Sequence, residues 1–136
     1  MKKYDLMKSG EKMIRVLEVQ EDKVLIIDCV RKTMPEWVDT ATLDAYEGYF
    51  SESISELDAL TAEQKKVMQE RYTMFAPVLA VLGDKKKRSM VIASIAETYG
   101  VSKQTVRKYL CQYLSAMDIT VLAPKSKADD PPLTKG

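Results

Sequence analysis

The stretch IASIAETYGVSKQTVRKYLCQYL, from Ile92 to Leu114, holds two helical patterns separated by a single glycine. Val91, Ile92, Ile95, Ala96 and Tyr99 recur at i, i+1, i+4, i+5 and i+8, the spacing of one buried helix face. Gly100 then supplies the left-handed backbone conformation that a sharp helix exit requires. Val101 plugs the corner, and Ser102 is placed to cap the next helix through its hydroxyl oxygen. That helix is expected from Lys103 to about Met117. Val106, Tyr109, Leu110, Tyr113 and Leu114 form its buried stripe, and Lys103, Gln104, Arg107 and Lys108 lie on the other side.

The glycine turn, the serine restart and the two facing stripes define a helix-turn-helix. The motif's small residue, turn glycine and buried aliphatic residue fall on Ala96, Gly100 and Val106. In this motif the second helix enters the DNA major groove with its N-terminal residues near base edges. Ser102, Lys103, Gln104 and Thr105 occupy that end, and Arg107 and Lys108 follow one turn later. Arg or Lys can read guanine, and Gln can read adenine. Lys85, Lys86, Lys87 and Arg88 precede the first helix of the motif and are expected to hold phosphates, which position a protein without reading sequence. The bland alternative is a packing unit with a solvated basic face.

Charge distribution agrees with the DNA reading. The 136-residue chain has a net charge of only +1. Yet Gly83 to Ala116 carries seven basic residues against two acids, Asp84 and Glu97. Glu36 to Ala62 carries seven acids and no Lys or Arg. Such asymmetry between segments hints at nucleic-acid contact. The chain contains no histidine, which removes the usual general base and zinc ligand. Its two cysteines, Cys29 and Cys111, form no disulfide framework and no metal cluster, and read as reduced thiols of a cytoplasmic protein. The N-terminus lacks the apolar run of a signal peptide. The longest apolar run, MFAPVLAVL from Met74 to Leu82, is too short to span a bilayer, so no membrane partner is expected.

Upstream, LTAEQKKVMQERYTMFAPVLAVLG opens with Thr61 and Gln64 in capping-box spacing. Met68, Tyr72, Phe75, Leu79 and Leu82 then mark one stripe of an amphipathic helix. Pro77 should kink it or divide it at Ala76, and Gly83 should stop it. Before this lie two strand-like runs, KMIRVLEV (Lys12 to Val19) and KVLIIDCV (Lys23 to Val30), joined by a polar turn. A hairpin alone is marginal, so a further strand is expected near Tyr4 to Met7, or packing on the helices. Pro35 marks an exit loop, and Trp37 reads as an apolar anchor over one edge of the small sheet.

The expected architecture is α+β. A small β-hairpin or sheet subdomain (1–39) is followed by an acidic linker (40–60), a three-helix helix-turn-helix domain (61–117) and a flexible tail (118–136).

Taken in order, GEKMIRVLEVQEDKVLIIDC, MPEWVD, the acidic connection, VIASIAETYGVSKQTVRKYLCQYL and a trailing APK resemble the N-terminal region of bacterial Mu-type transposases. These are DDE integrases of the retroviral-integrase superfamily. The resemblance covers essentially the whole chain, although its helix-turn-helix part is shared with many regulators. It implies an N-terminal region that recognises the terminal repeats of a mobile element, with possible self-assembly on DNA ends. It also implies a separate RNase H-like domain whose carboxylates bind two Mg²⁺ ions. That domain has no counterpart among these residues, so the expectation is a fragment with no catalytic residue, no cofactor and no metal site of its own. Asp129 and Asp130 sit in a Pro- and Lys-bearing tail and read as solvated. Two further readings compete. One is a free-standing helix-turn-helix transcription regulator, and the other is a protein-interaction module whose helices are merely a core.

Overall fold

The computed structural model describes residues 2–46 and 59–124. It is α+β, with a five-stranded antiparallel sheet followed by three helices. The strands are β1 (Leu6–Ser9), β2 (Lys12–Gln20), β3 (Lys23–Asp28), β4 (Glu36–Asp39) and β5 (Asp44–Ala45), in the order β4-β3-β2-β1-β5. The helices are α1 (Ala62–Leu79), α2 (Lys85–Tyr99) and α3 (Lys103–Ala116). The two expected strands thus form the centre of the sheet, and the third strand expected near Tyr4 to Met7 is β1. β5 extends the sheet into the segment read as an acidic linker. The rest of that reading, 47–58, lies outside the described residues, as do 125–136 with Asp129 and Asp130.

β2 carries a register shift between Val16 and Glu18. A bulge of this kind breaks the two-residue alternation. Before it, ordinary alternation turns Ile14 and Val16 away from the helices, in a small cluster with Val24, Ile26 and Leu43. Leu17 turns to the helical layer and joins Leu25 and Ile27 there. Those three side chains share one buried cluster with Met68, Phe75 and Val78 of α1, Ile92 and Ile95 of α2, and Val106, Leu110 and Leu114 of α3. The β-rich and helical parts are thereby joined through a common core.

α1 opens with the expected capping box. The Thr61 hydroxyl accepts from the Gln64 amide at 3.1 Å, and the Gln64 side chain accepts from the Thr61 amide at 2.8 Å. The helix is not divided at Ala76. Pro77 lies within it, and the helical run continues to Leu79. So near the C-terminal end, proline's missing N–H removes one bond from a turn that is about to finish anyway. Gly83 is not the cap either, because Ala80 takes that place. What Gly83 provides is room. A Cβ there would meet Glu18 Oε2 at 2.8 Å and Trp37 Cζ2 at 2.9 Å. The indole Nε1 of Trp37 donates to the Gly83 carbonyl at 2.8 Å, fastening edge strand β4 to the turn between α1 and α2.

The segment after α3, read as flexible tail, is ordered as far as it is described. Ile119–Leu122 form a 3-10 turn capped by Asp118. Leu122 is fully buried in the main core. Arg71 and Gln64 of α1 donate to the carbonyls of Leu122 and Pro124 at 2.8 and 3.0 Å. Among the described residues no helix is long and apolar enough to cross a membrane.

Candidate nucleic-acid interface

The turn between α2 and α3 follows from its residues. Gly100 has φ +66°, and its amide reaches back to the Ala96 and Glu97 carbonyls, while the Val101 amide bonds to the Ala96 carbonyl at 3.0 Å. Ser102 has extended backbone, and its Oγ accepts from the Thr105 amide at 3.1 Å. Below the turn, Ala96 and Val106 are buried, Val106 completely. A small side chain at 96 lets the helices approach, and the branched one at 106 fixes their rotation. Tyr99, read as part of the buried face, is instead 50% exposed. It is the last residue of α2, where the helix has already left the core.

On the outer side of α3, Ser102, Lys103, Gln104 and Lys108 are exposed, and Thr105 and Arg107 are half-buried. The Ser102 and Thr105 hydroxyls lie 3.0 Å apart. Lys108 Nζ sits 5.7 Å from the Tyr109 ring centroid, which Arg71 also approaches at 4.7 Å. The charged groups of both side chains thus lie over one aromatic ring.

Gln104, Lys108, Cys111 and Ser115 are spaced by four, three and four residues and so form one stripe of α3. Its first half is open, and its second half is covered. Cys111 and Ser115 are buried. The Cys111 thiol donates to Met34 Sδ at 3.5 Å. The Ser115 carbonyl accepts from Arg15 Nε of β2 at 2.9 Å and from the Cys29 thiol at 3.8 Å. Burial pushes the Cys111 thiol up to about 11, with Arg88 and Arg107 opposing it. The sheet and the β3–β4 connection therefore confine the accessible outer face to the first two turns of α3. Nothing in the local pattern of α3 signalled this, since the covering residues are more than 70 positions away in sequence.

The basic run before α2 divides. Lys85, Lys86 and Lys87 are exposed in the first turn of α2, whose N-cap is Asp84, with its carboxylate accepting from the Lys87 amide at 3.1 Å. Arg88 does not belong with them. It is only 7% exposed, and its Nη1 donates to the carbonyls of Leu82 at 3.0 Å and Pro35 at 3.2 Å. Burial also lowers its pKa from the ordinary guanidinium value. Arg88 is a buried strut between the α1–α2 turn and the start of β4, not a phosphate ligand. Its place was visible in the period, because Arg88, Ile92, Ile95 and Ala96 share one helix face.

Among the described residues no three His, Cys, Asp or Glu side chains gather to hold a metal ion. No protein-family model matches the chain, and no curated protein matches it in sequence.

Proposed function

We propose that this chain binds double-stranded DNA sequence-specifically through the N-terminal half of α3, as the end-recognition region of a Mu-type transposase. The supporting observation is the open half-stripe of α3. Lys103, Gln104 and Lys108 project from a helix whose opposite side is locked by Val106 under the Gly100 turn. These side chains carry the donors and acceptors that suit major-groove edges. Lys85, Lys86 and Lys87 would hold backbone phosphates and fix the docking angle. The transposase assignment rests on the family resemblance. In that reading strand transfer, with its Mg²⁺ ions, belongs to a separate domain, and this chain acts in the cytoplasm as a non-catalytic DNA-binding unit that can assemble on DNA ends.

The test is selection of duplexes from a random pool, followed by titrations across a salt series. The expected result is one enriched motif and affinity that falls steeply with salt. Arg107→Ala should cost about 1–3 kcal/mol on that motif and less on random DNA. Lys86→Ala should weaken both alike and lower the salt slope by about 0.9. An enriched motif matching the ends of a mobile element favours the transposase over a transcription regulator. Absence of binding at any salt would overturn the proposal and leave α2 and α3 as core.

A further inference from the structure

We propose that the cavity between the start of β4 and the α1–α2 turn binds a free α-amino acid with an apolar side chain, through the Glu36 carboxylate and the Lys85 ammonium.

Both layers of the fold build this cavity. Met34, Pro35 and Trp37 come from the sheet side, and Gly83 and Arg88 from the helical side, around a volume of about 310 Å³. Small-molecule sites begin at about 300 Å³, so the space suits a ligand the size of a single residue. Bonds between the layers hold its walls. Trp37 Nε1 donates to the Gly83 carbonyl at 2.8 Å, and Arg88 Nη1 donates to the carbonyls of Pro35 and Leu82. Met34 Sδ accepts from the Cys111 thiol. The space is therefore formed before a ligand arrives, and filling it carries little ordering cost.

The lining has two chemistries. Met34, Pro35 and Trp37 give an apolar wall, with Pro35 buried and the other two half-buried. Two exposed side chains of opposite sign complete it, Glu36 on β4 and Lys85 in the first turn of α2. Among the described residues neither makes an ion pair or a side-chain hydrogen bond. An acid and a base that share one cavity without reaching each other suit a molecule that bridges them. An α-amino acid does so. Its ammonium meets Glu36, its carboxylate meets Lys85, and its side chain lies on Trp37 and Met34.

The surrounding charges favour that polarity. The carboxylate end lies at the N-terminus of α2, whose dipole favours an anion. Arg88 keeps its bonds to the two carbonyls and adds only its positive charge on the same side. Two further acids are close but outside the lining. Asp84 turns its carboxylate onto the Lys87 amide, and Glu18 reaches Gly83 from β2. The site is independent of the DNA reading and shares only Lys85 with it.

Trp37 is the one tryptophan of the chain, so its fluorescence reads the cavity directly. The experiment titrates the full chain, without DNA and at neutral pH, with L-leucine, L-methionine and L-phenylalanine. Three relatives of leucine are the controls. Isocaproate lacks the ammonium, isoamylamine lacks the carboxylate, and N-acetyl-leucinamide lacks both charges. The expected result is a saturable change with at least one of the amino acids and affinity lower by about tenfold or more for each control. Glu36→Gln and Lys85→Gln should each lose about as much for the amino acid that binds. Both side chains are exposed, so the variants should fold, which circular dichroism checks. No saturable change with any of the three amino acids overturns the site. Binding of N-acetyl-leucinamide as tight as that of leucine, or unchanged affinity in either variant, overturns the bridging of Glu36 and Lys85 and with it the proposal.

Discussion

Arg88→Met separates a buried strut from a phosphate ligand. Methionine keeps much of the side-chain stem but removes the donor that serves the carbonyls of Leu82 and Pro35. Each buried carbonyl left without a partner costs about 1–3 kcal/mol. Against that stands the relief of no longer burying a guanidinium, a desolvation cost already visible in its lowered pKa. The net is a loss of about 2–3 kcal/mol. For a chain of this size, with about 4 °C per kcal/mol, the midpoint of thermal unfolding should fall by about 8–12 °C. Circular dichroism melting would read this, paired with a DNA titration well below the transition. Affinity and salt slope should be unchanged by Arg88→Met. Lys86→Ala should do the reverse. It removes one charge from the positive end of the α2 dipole, so stability should hold or rise by up to about 0.5 kcal/mol while the salt slope drops. An unmoved melting point with a reduced slope in Arg88→Met would refute the strut.

Two glycines should fail for different reasons, measured by urea unfolding. At Gly100 a Cβ meets nothing within 4 Å, so Gly100→Ala should cost only the left-handed backbone, about 1–2 kcal/mol. At Gly83 the backbone is ordinary but the space is taken by the Trp37 ring, so Gly83→Ala should displace the indole, with a change in tryptophan fluorescence that Gly100→Ala lacks. The Cys111 thiol has a folded pKa raised by burial to about 11, above its unfolded value near 9.0. Its stabilisation is complete below pH 9 and is lost as pH climbs toward 11, by about 3 kcal/mol, a decline that Cys111→Ala should blunt. Tyr113, also raised by burial, adds in the same direction once pH passes the unfolded value of 10.0.

What was legible in the sequence was what is local. Gly100, Ser102 and the stripes of α2 and α3 act over a few residues, and each carries its own backbone requirement. The Thr61–Gln64 capping box is legible for the same reason. Arg88 was misplaced because four consecutive basic residues suggest one surface, whereas a helix turns 100° per residue and carries the fourth inward. Leu122 was missed because its ITVL run follows the helix end and resembles the start of a tail. Its burial depends on Arg71 and Gln64 of α1 holding the backbone beside it. Pro77 carried too much weight, since a proline's cost depends on how much helix follows it. The covering of Cys111 and Ser115 by Met34, Arg15 and Cys29 is long-range packing, which periodicity does not encode.

In the proposed DNA-binding reading, that covering bounds how much sequence one chain can read. α3 is 14 residues long, but its outer stripe is open only from Lys103 to Lys108. Six helical residues span about 9 Å. At about 3.4 Å per base pair along a strand, this reaches about three base pairs. So the motif recovered by selection should have a core of about three base pairs, flanked by positions where the duplex is held but not discriminated. A longer uniform motif from a single bound chain would mean that the sheet moves off Ser115 when DNA arrives. The Arg15–Ser115 bond, which ties β2 to the end of α3, is the contact that would have to break. Arg15→Ala should then lengthen the motif further if the sheet moves, and leave it at its short core if the sheet stays.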